Sequence, residues 1–178
     1  MKNIKPIPTI HNNVEFRSRL EARWGVFFEA LGLCCVYEPF TISNNNLSYT
    51  PDFICHFALL GMSKSKDVLI EIKPKTPNRN YIEYLAKIHN PEKSNILICV
   101  GEPDLFQPNG YWIRTVAGKT DVQKGFNCVR CEDCGRFTIN SYDPEYNFEV
   151  LDCSLYHGIE TTNNETAKFI AKTFRFDL

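Results

Sequence analysis

The chain predicts an α/β fold of the α+β kind, with its core elements in the order αβββαβ. Three observations point to it: a strongly periodic helical segment near the N-terminus, three apolar runs bounded by turn residues, and a second helical segment leading into one more compact apolar run. At 178 residues, 43% hydrophobic and 13% aromatic, the chain can bury one main core and carry a small appendage.

From Glu15 to Leu31, the apolar residues Phe16, Leu20, Trp24, Phe27, Phe28 and Leu31 gather on one side of a 3.6-residue helix, and Gly32 follows as its C-cap. Strands are expected over Cys34–Phe40, Ser48–Phe57 and Asp67–Lys73, between clusters of Asn, Pro, Gly and Ser. Pro74 and Pro77 stop the third strand. A second helix is expected over Asn78–Asn90, and Asn95–Val100 suits a buried strand. Beyond these come a strand at Tyr111–Val116, a cysteine-rich segment from Cys128 to His157, and a last helix near Glu165–Phe174. The expected division is a core over residues 1–120 and, over 121–178, a cysteine-rich tail with a C-terminal helix packed on the core. No internal repeat is present, and Asn44–Asn46 reads as a loop.

Twenty Lys and Arg against twenty-one Asp and Glu leave a formal charge of -1, which excludes the global basic field of a protein that coats nucleic acid in bulk. Any such binding must come from a local patch. Met1 to Asn13 has no apolar signal-peptide region, and no stretch approaches the ~18 apolar residues of a membrane span, so a cytoplasmic protein is expected. In a reducing compartment the eight cysteines point to metal binding or core packing rather than disulfides. Cys34, Cys35, Cys55 and Cys99 lie in apolar runs and are expected to be buried, inert thiols.

The chemistry is concentrated in Pro51-Asp52, Glu71-Ile72-Lys73 and Glu21. Alternation along a strand turns Glu71 and Lys73 to one face and Ile72 to the other. If the second and third strands pair, Asp52 approaches Glu71 closely enough for both to hold one hard divalent cation. Glu21 falls at the border of the apolar helix stripe, facing the sheet edge. Phosphodiester hydrolysis needs a water made nucleophilic near neutral pH and a counter-charge for the developing oxyanions; Mg²⁺ or Mn²⁺ with a nearby lysine supplies both. Each piece also has an ordinary reading. Glu-x-Lys is a common cross-strand pair, Asp after Pro is a turn residue, and Glu21 is an i+4 partner for Arg17. Their occurrence in one order, on the expected elements, carries the inference.

The segments Phe16-Arg17-Ser18-Arg19-Leu20-Glu21-Ala22-Arg23-Trp24, Tyr37-Glu38-Pro39, Tyr49-Thr50-Pro51-Asp52-Phe53 and Leu69-Ile70-Glu71-Ile72-Lys73-Pro74 resemble the PD-(D/E)xK nuclease superfamily, in its small phage and bacterial forms. The resemblance covers about Glu15 to Val100. It implies a restriction-endonuclease-like fold with a mixed four-stranded sheet flanked by helices. Asp52, Glu71 and Lys73 take the catalytic positions and Glu21 that of the helix carboxylate, and Asp52, Glu71 and Ile72 are the cofactor-binding positions.

In the tail, Cys128-Val129-Arg130-Cys131-Glu132-Asp133-Cys134-Gly135 holds two overlapping CxxC pairs, and Cys153 with His157 follows. Two short-spaced pairs supply the four ligands of a structural Zn²⁺ in a small zinc-ribbon-like unit. The expected set is Cys131, Cys134, Cys153 and His157, because Gly135 frees the turn after a knuckle cysteine. Cys128 remains an alternative ligand.

Lys64, Lys66, Lys73, Lys75 and Arg79 flank the carboxylates and can form a phosphate-binding patch, with Tyr81 and Tyr84 available to stack on bases or to fill the core. The function expected is a metal-dependent DNA endonuclease of phage or mobile-element DNA processing, with RNA still open as a substrate. Double-strand cleavage from one site per chain favours a homodimer. Two alternatives stand beside it: a structure-selective junction resolvase, and a non-catalytic nucleic-acid- or protein-binding module on the same fold.

Overall fold

The structure, a computed structural model, describes residues 6–44, 46–55, 67–89, 94–116, 118–131, 137–141, 159–160 and 162–176. The chain is α+β, built on a mixed sheet with helices packed on both faces. It opens with a hairpin of β1 (Thr9–His11) and β2 (Val14–Phe16), joined by Asn12 and Asn13 at φ 48° and 62°. Two consecutive left-handed residues make the tight turn that matches strand twist, and asparagine tolerates them best after glycine. The helical periodicity therefore extends further back than the helix: α1 spans Arg19–Ala30. Ser18 caps it by accepting from the Glu21 amide at 3.2 Å, while its hydroxyl donates to Glu21 Oε1 at 2.9 Å. Gly32, at φ 72°, closes the other end as expected; the Leu33 amide reaches back to the Phe28 carbonyl at 2.9 Å.

The strands that follow are shorter than the apolar runs suggest. β3 is Cys35–Tyr37. The run expected as one strand over Ser48–Phe57 divides into β5 (Leu47–Tyr49), which forms a small hairpin with β4 (Ile42–Asn44), and β6 (Phe53–Cys55). Pro51, which cannot donate to a ladder, stands in the break between them. β7 (Asp67–Lys73), α2 (Arg79–Ile88) and β8 (Ser94–Val100) lie where the sequence places them, with Asn78 capping α2 through the Tyr81 amide at 2.9 Å. β7 and β8 are parallel, joined by α2, and β6 pairs antiparallel with β7.

The sheet is larger than four strands. β9 (Phe106–Val116) and β10 (Lys119–Cys131) form a long hairpin on the β8 edge, followed by β11 (Phe137–Ser141), giving the order β11-β10-β9-β8-β7-β6-β3, with β12 (Ile159–Glu160) also paired to β10. β10 runs through the boundary drawn at residue 120, so the sheet continues into the tail. α3 (Thr162–Thr173) packs on α1, with Ala167 and Ala171 one turn apart and buried. No helix among the described residues is long and apolar enough to cross a membrane.

One face of the sheet and α1 enclose Phe16, Trp24, Phe27, Phe28, Phe53, Ile70 and Ile72. The other face, under α2 and the β4–β5 hairpin, holds Tyr49, Ile54, Leu69, Leu85, Ile96 and Ile98. Gly25 lets the Phe16 ring approach the helix backbone, since a Cβ there would meet the ring at 3.0 Å. Three of the four thiols expected to be buried and inert need correction. Cys35 and Cys55 are directly opposed on β3 and β6, with Cα atoms 4.3 Å apart, and are joined by a disulfide. Cys34 is exposed, because β3 starts only at Cys35. Cys99 is buried as expected.

Candidate functional site

Alternation on β7 sends Ile70 and Ile72 into the α1 core, and Leu69, Glu71 and Lys73 toward α2. Phe53 pairs with Ile70, so the next antiparallel step sets Asp52 across from Glu71 at the end of the strand pair. Both carboxylates are buried, at 1% and 4% exposure, which demands a partner for every oxygen. Asp52 has two: Oδ2 accepts from the Ile72 amide at 2.6 Å, and Oδ1 accepts from the Arg17 guanidinium. Glu71 has partners on one oxygen only. Its Oε1 accepts from Lys73 Nζ and from the Tyr81 hydroxyl at 2.6 Å, while Oε2 is buried with no hydrogen bond among the described residues. The Tyr49 hydroxyl, also buried, faces the Glu71 carboxylate, which helps to keep that phenol protonated.

Electrostatics follow from that crowding. Burial first, then the Glu71 charge, pushes the Asp52 carboxyl up to about 7; Glu21 adds to the rise, while the Ile72 amide and Lys73 oppose it. Burial and Glu71 also hold the Tyr81 and Tyr49 phenols protonated, well above their ordinary range. Tyr81 is thus fixed as a donor, and the Lys73 ammonium lies 5.0 Å from the centre of its ring.

Glu21 is on the α1 side of the same strand end but is turned to its own partners: Ser18, and the Tyr37 hydroxyl at 2.5 Å from Oε2. Its ordinary reading as an i+4 partner of Arg17 is present too, at 3.7 Å. Arg17 does much more than that reading allows. Its Nε lies 2.8 Å from Glu38 Oε1 while its terminal nitrogen holds Asp52, so one half-exposed guanidinium faces three carboxylates. Glu38 is held there by a left-handed backbone, φ 41°, and by its own amide, which donates a hydrogen bond of 2.9 Å to the Asp52 carbonyl. Among the described residues, no three His, Cys, Asp or Glu side chains converge as a ready metal cluster.

No family model and no curated protein matches the chain. The site therefore rests on its own geometry. That geometry joins Asp52, Glu71 and Lys73, sets Glu21 beside them, and adds Arg17, Tyr37, Glu38, Tyr49 and Tyr81. The Ser18-x-x-Glu21 spacing, a capping-box pattern, carried the signal for where α1 starts, and so for Arg17 lying just outside the helix. Of the basic patch, Lys75 is exposed, Arg79 pairs with Glu83 at 2.7 Å, and Lys64 and Lys66 lie outside the described residues. Tyr81 and Tyr84 stack on each other at 6.1 Å, and the Tyr84 hydroxyl is committed to the Ser48 carbonyl.

Of the zinc set, Cys131 ends β10, and its side chain, with Cys134, Cys153 and His157, lies outside the described residues. Cys128 pairs opposite Ile139 inside the core, where burial pushes its thiol up to about 12.

Proposed function

We propose that the chain is a metal-dependent nuclease of the PD-(D/E)xK type, on a restriction-endonuclease-like core formed by α1, β3, β6, β7, α2 and β8, hydrolysing DNA phosphodiester bonds in phage or mobile-element DNA processing. The observation that carries this reading is Glu71 Oε2: a buried carboxylate oxygen with no hydrogen bond among the described residues, beside a second buried carboxylate across the strand pair. An oxygen in that position is costly unless a cation meets it. The donor set suits Mg²⁺ or Mn²⁺, which take hard oxygen ligands and keep several waters, so two protein carboxylates and the adjoining Ile72 main chain are enough.

In this reading Asp52 and Glu71 hold the ion. The ion supplies a water made nucleophilic near neutral pH and a counter-charge for the phosphate. Lys73, 30% exposed, presents an ammonium that can leave Glu71 for the attacking water or a phosphate oxygen. Tyr81 fixes the Glu71 carboxylate, and Glu21, through Tyr37, shapes the α1 side. Structural Zn²⁺ on Cys131, Cys134, Cys153 and His157 belongs to the same proposal, supported by the antiparallel register that sets Arg130 opposite Phe137 at the ends of β10 and β11.

Purified protein is expected to cleave or nick DNA with Mg²⁺ or Mn²⁺, and Glu71→Ala or Lys73→Ala to lower the rate by about a thousandfold or more. Full activity in either variant sinks the assignment. One observation favours a second reading, a non-catalytic nucleic-acid-binding module: both Asp52 oxygens already have protein donors. That reading predicts no Mn²⁺ binding dependent on Asp52 and Glu71.

A further inference from the structure

Resting on the nuclease reading, we infer that Arg17 is a transferable cation: it neutralises Asp52 until a divalent ion takes that carboxylate, and then turns to a phosphate of the bound nucleic acid. The geometry shows why one group can serve both states. Arg17 sits just before the cap of α1, where its backbone amide is tied to the Tyr37 hydroxyl at 3.0 Å, so its Cα is fixed while its side chain remains 55% exposed. The guanidinium meets Asp52 and Glu38 with two of its nitrogens and approaches Glu21 with one of the same two. Asp52 Oδ2 is held by the Ile72 amide, which leaves Oδ1, the oxygen on Arg17, as the one a cation shared with Glu71 Oε2 would compete for. Two cations do not share one buried carboxylate oxygen cheaply. A displaced guanidinium remains hinged at Glu38, beside the ion, with its planar fork free for a phosphate. Lys73 differs from Arg17 here: it holds Glu71 Oε1, the oxygen beside the one the ion would take, and so can stay in place when Arg17 is displaced.

The test uses the full chain in two titrations. By calorimetry at about pH 8, where Asp52 is ionised, Arg17→Gln should bind Mn²⁺ about fivefold more tightly than wild type, because a competing charge is gone. With Ca²⁺ in place of Mn²⁺, the same variant should bind a short DNA duplex more weakly, and the slope of log K against log salt should fall by about one. Arg17→Lys keeps the charge and should retain the wild-type slope, which separates a lost phosphate contact from a damaged fold. Unchanged or weaker Mn²⁺ binding by Arg17→Gln, or an unchanged slope, overturns the inference and makes Arg17 a fixed clamp. Wild-type Mn²⁺ heat equal to that of Glu71→Ala brings down the nuclease reading itself, and the inference with it.

Discussion

The two faces of the sheet are built to opposite rules, although one strand serves both. On the α1 face, Ile70 and Ile72 of β7 meet Phe53, Trp24, Phe27 and Phe28, whose rings pack at centroid distances of 5.2 to 6.1 Å. On the α2 face the same strand supplies Leu69, then Glu71 and Lys73, and the neighbours become Tyr49 and Tyr81. The first face stabilises the chain by burying apolar surface and aromatic edges. The second opposes that gain at its end, where two carboxylates are buried against each other and one oxygen has no hydrogen bond among the described residues. Charge held there against desolvation is what the proposed nuclease site would use, at the expense of stability. The contrast makes sharp predictions, because substitutions on the two faces should move stability in opposite directions.

The largest effect belongs to the aromatic face. Phe27 is fully buried, and Phe27→Ala should cost about 3–5 kcal/mol in urea denaturation, from lost transfer energy plus the cavity left behind. Glu71→Gln should match or exceed wild-type stability, since it removes a buried charge while Lys73 keeps access to solvent. Equal losses in both variants would break the contrast and make Glu71 a structural residue.

A smaller effect follows from Asp52, whose native carboxyl is raised from its ordinary value to about 7. Between those values the folded chain binds more protons than the unfolded one, so stability contributed by protonated Asp52 is complete at low pH and declines as pH rises toward 7. The slope is at most about 1.4 kcal/mol per pH unit. Asp52→Asn should remove it, seen as urea midpoints that no longer fall between about pH 5 and about pH 7. Mn²⁺ binding should show the reverse trend, weakening by up to about tenfold per unit as pH drops below 7, because the ion must displace that proton. Flat metal affinity across this range would mean that Asp52 is not a ligand.

How much of this was legible in the sequence depends on whether the signal was local. Helix period, caps and strand bounds are written in neighbouring residues, so β7, α2, β8 and the C-terminal end of α1 came close to their observed limits. The β1–β2 hairpin was missed because Phe16 fits the helical stripe of α1, and only Asn12-Asn13 marks a turn. The β9–β10 ribbon was underestimated because its outer strand is polar along much of its length, with Lys119, Asp121, Gln123 and Lys124 breaking the apolar run. The Cys35–Cys55 bridge depends on register between separate strands, which spacing does not encode. For the site, Asp52, Glu71 and Lys73 follow from alternation and order. Arg17, Tyr37 and Tyr81 do not, because each reaches the carboxylates from another element through a side chain whose direction only packing decides.

Tyr81 gives the smallest and finest test of the α2 face. Its hydroxyl donates to the one Glu71 oxygen that Lys73 also holds, so it sets the angle at which Oε2 is presented, while its ring stays packed beside Tyr84 whether or not the hydroxyl is there. Tyr81→Phe deletes one hydrogen bond to a charged acceptor, an interaction worth about 1.5–3 kcal/mol when made. Lys73 still holds that oxygen in the variant, and the expected outcome is a fall in kcat of about tenfold with KM little changed, because positioning rather than substrate binding is lost. The unfolding midpoint should hardly move. A drop in stability without a change in kcat would instead assign Tyr81 to the core of that face, and the boundary between its structural and its reactive halves would lie beyond Glu71.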